Sequence, residues 1–133
     1  MTYLLVGAAG MIGAFLRFYV GKVTGDWGGG TFPYGTFIVN MIGSFALGWF
    51  IQLFGSSQKL KPHFVTAIGT GLIGSFTTFS TFSVETVKLV NDGLFMVAFL
   101  YVAASLIGGL LLSSFGFQIG KAQSDNRSKE ETI

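Results

Sequence analysis

Residues 62–84 read PHFVTAIGTGLIGSFTTFSTFSV: twenty-three positions without a charge, yet with six hydroxyl residues packed between Ser75 and Ser83. The length and the missing charge suit a helix crossing hydrocarbon, which takes about 20 apolar residues. The middle of the stretch does not suit an unbroken helix. Gly74 and the β-branched pair Thr77-Thr78 loosen helical bonding, and backbone groups freed in hydrocarbon survive only where protein, water or ions cover them. Helices broken at mid-membrane mark ion and substrate sites in transporters. The plainer alternative is a continuous helix whose hydroxyls bond back onto its own carbonyls. Six hydroxyls in nine residues favour the break.

Three further charge-free blocks flank this one, at residues 1–16, 27–58 and 93–120. The chain has eight Lys and Arg and six Asp and Glu in 133 residues, and six of these fourteen crowd into the last thirteen. Three quarters of the chain is therefore uncharged in blocks near bilayer length. The expected architecture is an all-α membrane protein with four transmembrane helices at about 2–20, 33–54, 62–90 and 94–120. The third is broken. Residues 1–120 form the transmembrane domain, and the mixed-charge segment 121–133 is expected to be a disordered tail. Glycine-rich residues 21–31, with Gly28-Gly29-Gly30, link the first two spans, polar residues 55–61 the next two, and Asn91-Asp92-Gly93 is a turn signal. Arg17 falls at the end of span 1, where its long side chain reaches the interface.

The same counts exclude several functions. Without cysteine there are no disulfides, thiolate metal sites or Cys nucleophiles, and a single histidine, His63, builds no His-rich centre. The net charge of +2 has no basic cluster behind it, which argues against nucleic acid. No nucleophile–base pair is evident, so no enzyme is expected. The N-terminus lacks the positive region of a secretory signal and reads as a retained first span. Gly69-x-Gly71-x-x-Gly74 matches a dinucleotide fingerprint formally, but no strand precedes it and it lies in an apolar span.

Glycine makes up twenty of the 133 residues and recurs within every span, as in Gly7/Gly10/Gly13 and Ser105/Gly109, and such small-residue stripes let helices approach closely. With four spans, Lys59, Lys61, Lys121, Arg127 and Lys129 share one side and Arg17, Lys22 and Lys88 the other. Without the two distal tail residues the balance is three against three, so the positive-inside rule sets no firm orientation. Copies inserted in opposite senses can then pair about an axis in the membrane plane, and four helices are few to enclose an ion path alone. An antiparallel homodimer follows as the expected assembly.

Phe76, Phe79 and Phe82 interleave the hydroxyls. A ring presents a negative face and a positive edge, so ring edges beside hydroxyl donors, with no buried carboxylate, favour a small anion over a cation.

The run Thr77-Thr-Phe-Ser-Thr-Phe82, followed by Glu85-Thr86, with Gly35-Thr-x-x-Val-Asn40 on span 2 and Gly13-Ala-x-x-Arg17 on span 1, resembles the Fluc family, also written CrcB, over residues 1–120. The resemblance implies a small fluoride channel of the bacterial inner membrane, an antiparallel, dual-topology homodimer with two pores. It implies that Phe79 and Phe82 meet fluoride with their ring edges and that Asn40 donates its amide to the ion. It further implies that the hydroxyls of Thr78, Ser80 and Thr81, with Tyr101 and Ser105 on span 4, line the pore. Arg17 resembles the family's vestibule residue, although an anchoring role is equally open. Gly74 and Thr77 would offer backbone carbonyls to a structural sodium ion on the dimer axis, four oxygens from two copies.

Fluoride is physically reasonable. Burying an unpaired small anion is very costly, so compact hydroxyl and amide donors must replace its water. A buried Lys or Arg would bind it too tightly to conduct, and spans 2 and 4 carry no charge. A dual-topology drug exporter is disfavoured because span 1 lacks the membrane-embedded carboxylate that such coupling uses. A proton-coupled antiporter using Glu85 and a non-transporting assembly subunit remain as alternatives. Glu85 itself reads as a vestibule residue.

Overall fold

The computed structural model describes residues 1–25, 30–55 and 60–130, with side chains to residue 126. Parts of the first two expected inter-span links, at 26–29 and 56–59, and the end of the expected tail, at 131–133, lie outside the described residues. Among the described residues the fold is all-helical: α1 (Thr2–Thr24), α2 (Tyr34–Phe54), α3 (Pro62–Thr66), a π-helical stretch (Ala67–Ile73), α4 (Gly74–Phe76), α5 (Phe79–Asn91) and α6 (Phe95–Glu130). Three of these are long and apolar enough to cross a membrane: Thr2–Thr24, Tyr34–Phe54 and Phe95–Asn126. The stretch expected as the third span is divided into shorter pieces, so it is not a single spanning helix. α6 continues past Gly120 into the polar segment expected to be irregular. Trp49 Nε1 donates to Gln123 Oε1 there at 2.9 Å, tying that extension to α2.

Local signals account for the ends. Pro62 opens α3 in its first turn, where a missing N–H costs nothing. Gly93 takes φ +77° after α5. Its N–H bonds to Val90 O at 3.0 Å and that of Leu94 to Leu89 O at 2.9 Å, the paired bonds of a Schellman cap. The turn expected at Asn91-Asp92-Gly93 is this cap.

Close approach holds the bundle together. A Cβ on Gly48 would collide with Ser113 O and one on Gly116 with Phe45 O, so α2 and α6 lie backbone to backbone. Without a hydrophobic drive inside lipid, such van der Waals contact supplies much of the association. α1 meets the π-helical stretch in the same way, with Gly13 against the Leu72 carbonyl. α5 leans on α6 through a cluster of Leu89, Ala98 and Tyr101, with Phe82 packed against it. Large apolar side chains such as Met11, Phe15, Phe99 and Leu110 face outward. A chain with three such helices and so apolar an exterior is a multi-pass membrane protein.

Candidate functional site

The Thr77 N–H makes the last helical bond, to Ile73 O at 3.1 Å, and helical bonding fails from Thr78. Thr77 ends α4 with ψ 161°, and Thr78 is extended at φ −149°, ψ 124° before α5 begins. The Thr78 N–H, which would close a helical bond onto Gly74 O, donates to Asn40 Oδ1 at 2.8 Å instead. Asn40 Nδ2 returns a bond to Thr78 O at 2.9 Å. One turn on, the Thr81 N–H caps onto Thr78 Oγ1 at 3.2 Å rather than onto Thr77 O. Two carbonyls, Gly74 O and Thr77 O, are thereby released from the backbone ladder. The Thr77 hydroxyl donates to Gly74 O at 3.2 Å, and Arg17 Nη1 donates to Thr77 O at 3.4 Å.

Two cavities meet at this break. The first, about 330 Å³, is lined by Asn40, Ser44, Thr78, Phe79, Phe82 and Ser105 among others. Ser105 Oγ is buried and has no hydrogen-bond partner among the described residues. A buried hydroxyl left unmatched is costly, so such an atom marks a place where a ligand or water supplies the partner. The Phe79 and Phe82 rings stand 5.9 Å apart between centroids, and Phe79 is 79% exposed. The second cavity, about 530 Å³, is lined by Arg17, Lys22, Thr36, Thr78 and Thr81. Thr78 belongs to both.

Behind Phe82 lies a carboxylate held by two hydroxyls. Thr36 Oγ1 donates to Glu85 Oε1 and Tyr101 Oη to Glu85 Oε2, each at 2.8 Å. Tyr101 has no exposed surface and packs on Phe82 with ring centroids 5.0 Å apart and planes tilted by 49°.

Of the residues expected at the site, Asn40, Thr77, Thr78, Phe79, Phe82 and Ser105 share the first cavity. Arg17 and Thr81 share the second. Tyr101 is absent from both linings because its hydroxyl is committed to Glu85. Ser80 is exposed, and its hydroxyl meets that of Thr78 at 3.3 Å. Gly74 lies exposed on the outside of the break. From sequence, Thr36 is quoted only within the span 2 motif and given no role, and Glu85 reads as a vestibule residue; Glu85 lines a further cavity with Lys88 and Asp92. Thr36 and Asn40 are four apart and so share a face of α2, a signal that could have placed Thr36 near the break.

The first cavity offers neutral amide and hydroxyl groups with two phenylalanine rings, and among the described residues no ionisable side chain lines it. That set suits a small anion held weakly. The two released carbonyls are a different chemistry: neutral oxygens of this kind are what alkali cations take in place of water. The Gly74 and Thr77 carbonyls are of the donor type such a cation takes, and in this chain the first already accepts from the Thr77 hydroxyl and the second from Arg17.

Fold and site together define a multi-pass helical membrane protein with a hydroxyl- and phenylalanine-lined cavity at a helix break. A profile described as CrcB-like protein, Camphor Resistance (CrcB), matches residues 4–117. The chain is 44% identical over 120 residues to a protein of Bacillus cereus (strain ATCC 10987 / NRS 248) named Fluoride-specific ion channel FluC 1, covering 90% of this chain and 88% of the relative. It is 50% identical over 117 residues to Fluoride-specific ion channel FluC 2 of Geobacillus kaustophilus (strain HTA426), covering 88% and 91%. The chain belongs to the CrcB family.

Proposed function

We propose that this protein is a fluoride-selective channel that lets cytoplasmic fluoride leave a bacterium passively across the inner membrane. The observation that carries the reading is the unpartnered Ser105 hydroxyl in a cavity shared with Asn40, Phe79 and Phe82. An amide donor, a hydroxyl donor and two ring edges replace fluoride's water without a fixed charge that would trap it. The names of the relatives point to the same ion. Residues 1–120 act as the channel domain, through four membrane crossings with the third broken, and 121–133 are an appendage to it.

The working unit is an antiparallel homodimer in lipid, with two pores. Phe79 is 79% exposed although it faces the cavity, as expected of a wall completed by a second chain. The near-balanced Lys and Arg count supports insertion in both senses. Gly74 and Thr77 of each copy would hold a sodium ion on the two-fold axis through their carbonyls, and the ion would offset the negative ends of the broken helices. The role is structural, and sodium does not travel with fluoride. Arg17, with Lys22 beside it, gives the second cavity a positive lining that raises local anion concentration.

Simultaneous recording of fluoride and proton movement in proteoliposomes tests this reading. Fluoride efflux under a clamped voltage without stoichiometric proton movement is expected. A fixed proton for each fluoride would replace the channel by an antiporter working through Glu85.

A further inference from the structure

Gly43 is buried on α2, and its surroundings single it out among the glycines of that helix. A Cβ there would overlap Thr77 Cγ2 and lie 3.5 Å from Phe76 Cδ1, so its near neighbours belong to the end of α4 and the break. Gly48, in contrast, faces Ser113 of α6 and serves helix pairing. Gly43 and Asn40 are three residues apart, hence on one face of α2. One turn of that face therefore meets the break twice, with a notch at Thr77 and a paired amide at Thr78.

Thr77 cannot easily withdraw its methyl from the notch. A β-branched side chain is stiff at χ1. The Thr77 hydroxyl is engaged with Ile73 O at 3.3 Å and Gly74 O at 3.2 Å, so turning the methyl away breaks these bonds. A methyl added at position 43 must then push the break away from α2. The 2.8 and 2.9 Å bonds between Asn40 and Thr78 would lengthen first. Both cavities share Thr78, so both would change shape.

We propose that Gly43 is a positioning residue for the anion path: its missing side chain seats the Thr77 methyl and sets the depth at which the break docks on Asn40. This inference rests on the channel reading for its consequence in transport, but the docking itself is independent of that reading.

The test is a double-mutant cycle read in two ways. Gly43→Ala lowers fluoride efflux by about tenfold or more, the scale that overpacking a tight contact produces. In a Thr77→Ser background, which removes the obstructing methyl, Gly43→Ala changes efflux by less than about twofold, because the coupled pair is already relaxed. Amide hydrogen exchange of the 77–82 segment in the full-length protein rises in Gly43→Ala and returns toward its background value in the double variant. Equal losses from Gly43→Ala in both backgrounds, or unchanged exchange in the single variant, would overturn the notch. A wild-type protein that passes no fluoride would sink the channel reading, and the exchange experiment would still decide the docking.

Discussion

Asn40 and Thr78 hold each other by two hydrogen bonds that run in opposite directions, side-chain amide against main-chain amide, at 2.8 and 2.9 Å. The pairing copies what a neighbouring strand would offer an extended residue, and it satisfies the backbone at the point where the helix has failed. It also fixes the Asn40 amide: a backbone N–H demands the oxygen on one side, so the nitrogen lies on the other. A primary amide nitrogen has two hydrogens, and only one is used on Thr78. One residue thus secures the break and keeps a donor in a cavity it lines.

Ser105 separates a structural hydroxyl from a functional one. Its oxygen is buried without a partner, so Ser105→Ala removes a penalty rather than a bond. Thermal stability in detergent should stay level or rise, by up to about 1–3 kcal/mol in unfolding free energy. Fluoride efflux should fall by about tenfold. A stability loss with unchanged efflux would make Ser105 a packing residue.

The two phenylalanines should also divide. Phe82 packs on Tyr101, with centroids 5.0 Å apart, whereas Phe79 is largely exposed in the single chain. Phe82→Ile should cost about 0.5–1.5 kcal/mol of stability from the lost ring pair as well as efflux. Phe79→Ile should cost efflux with a smaller loss of stability, because its ring pair with Phe82, at 5.9 Å, is largely exposed. Melting curves and electrode traces on the same preparations check this, and unchanged efflux in both variants would return the rings to plain packing.

Tyr101→Phe leaves the Glu85 carboxylate with one hydroxyl in place of two. A charged acceptor deprived of a buried donor costs about 1–3 kcal/mol, so the melting temperature should fall. Thr36→Val should produce a loss of similar size. Doing both should cost less than the sum, because they share one acceptor group.

Gly74 tests the assembly. Within the chain a Cβ there meets only Gly69 O, at 3.6 Å, which is ordinary contact. Gly74→Leu should therefore leave the monomer's helicity unchanged while shifting dimer to monomer by about tenfold or more, because in the proposed antiparallel dimer the two breaks would approach on the axis. Circular dichroism and subunit crosslinking in detergent read the two effects separately. A dimer of unaltered strength would move Gly74 away from the axis.

What was legible from the residues follows from how local each signal is. The apolar runs behind α1, α2 and α6 are contiguous, and so is the hydroxyl-rich stretch that breaks after Phe76. Their spacing alone foretold them. The π-helical course of Ala67–Ile73 was not foreseen, because it depends on α1 lying against Gly71 and Leu72. The Thr36–Glu85–Tyr101 linkage joins residues 49 and 16 positions apart, and no periodicity on one element reveals such a contact. Tyr101 was placed in the pore on resemblance, whereas burial turns its hydroxyl toward Glu85. The Arg17 bond to Thr77 O likewise spans 60 positions and needed the fold.

The central claim is that neutral donors around one cavity select fluoride. Purified protein in liposomes loaded with both potassium fluoride and potassium chloride, opened to potassium flow by an ionophore, tests it directly. Fluoride should leave at least about a hundredfold faster than chloride, because compact donors that replace fluoride's tightly held water are poorly matched to the larger ion. Comparable rates for the two ions would contradict the account.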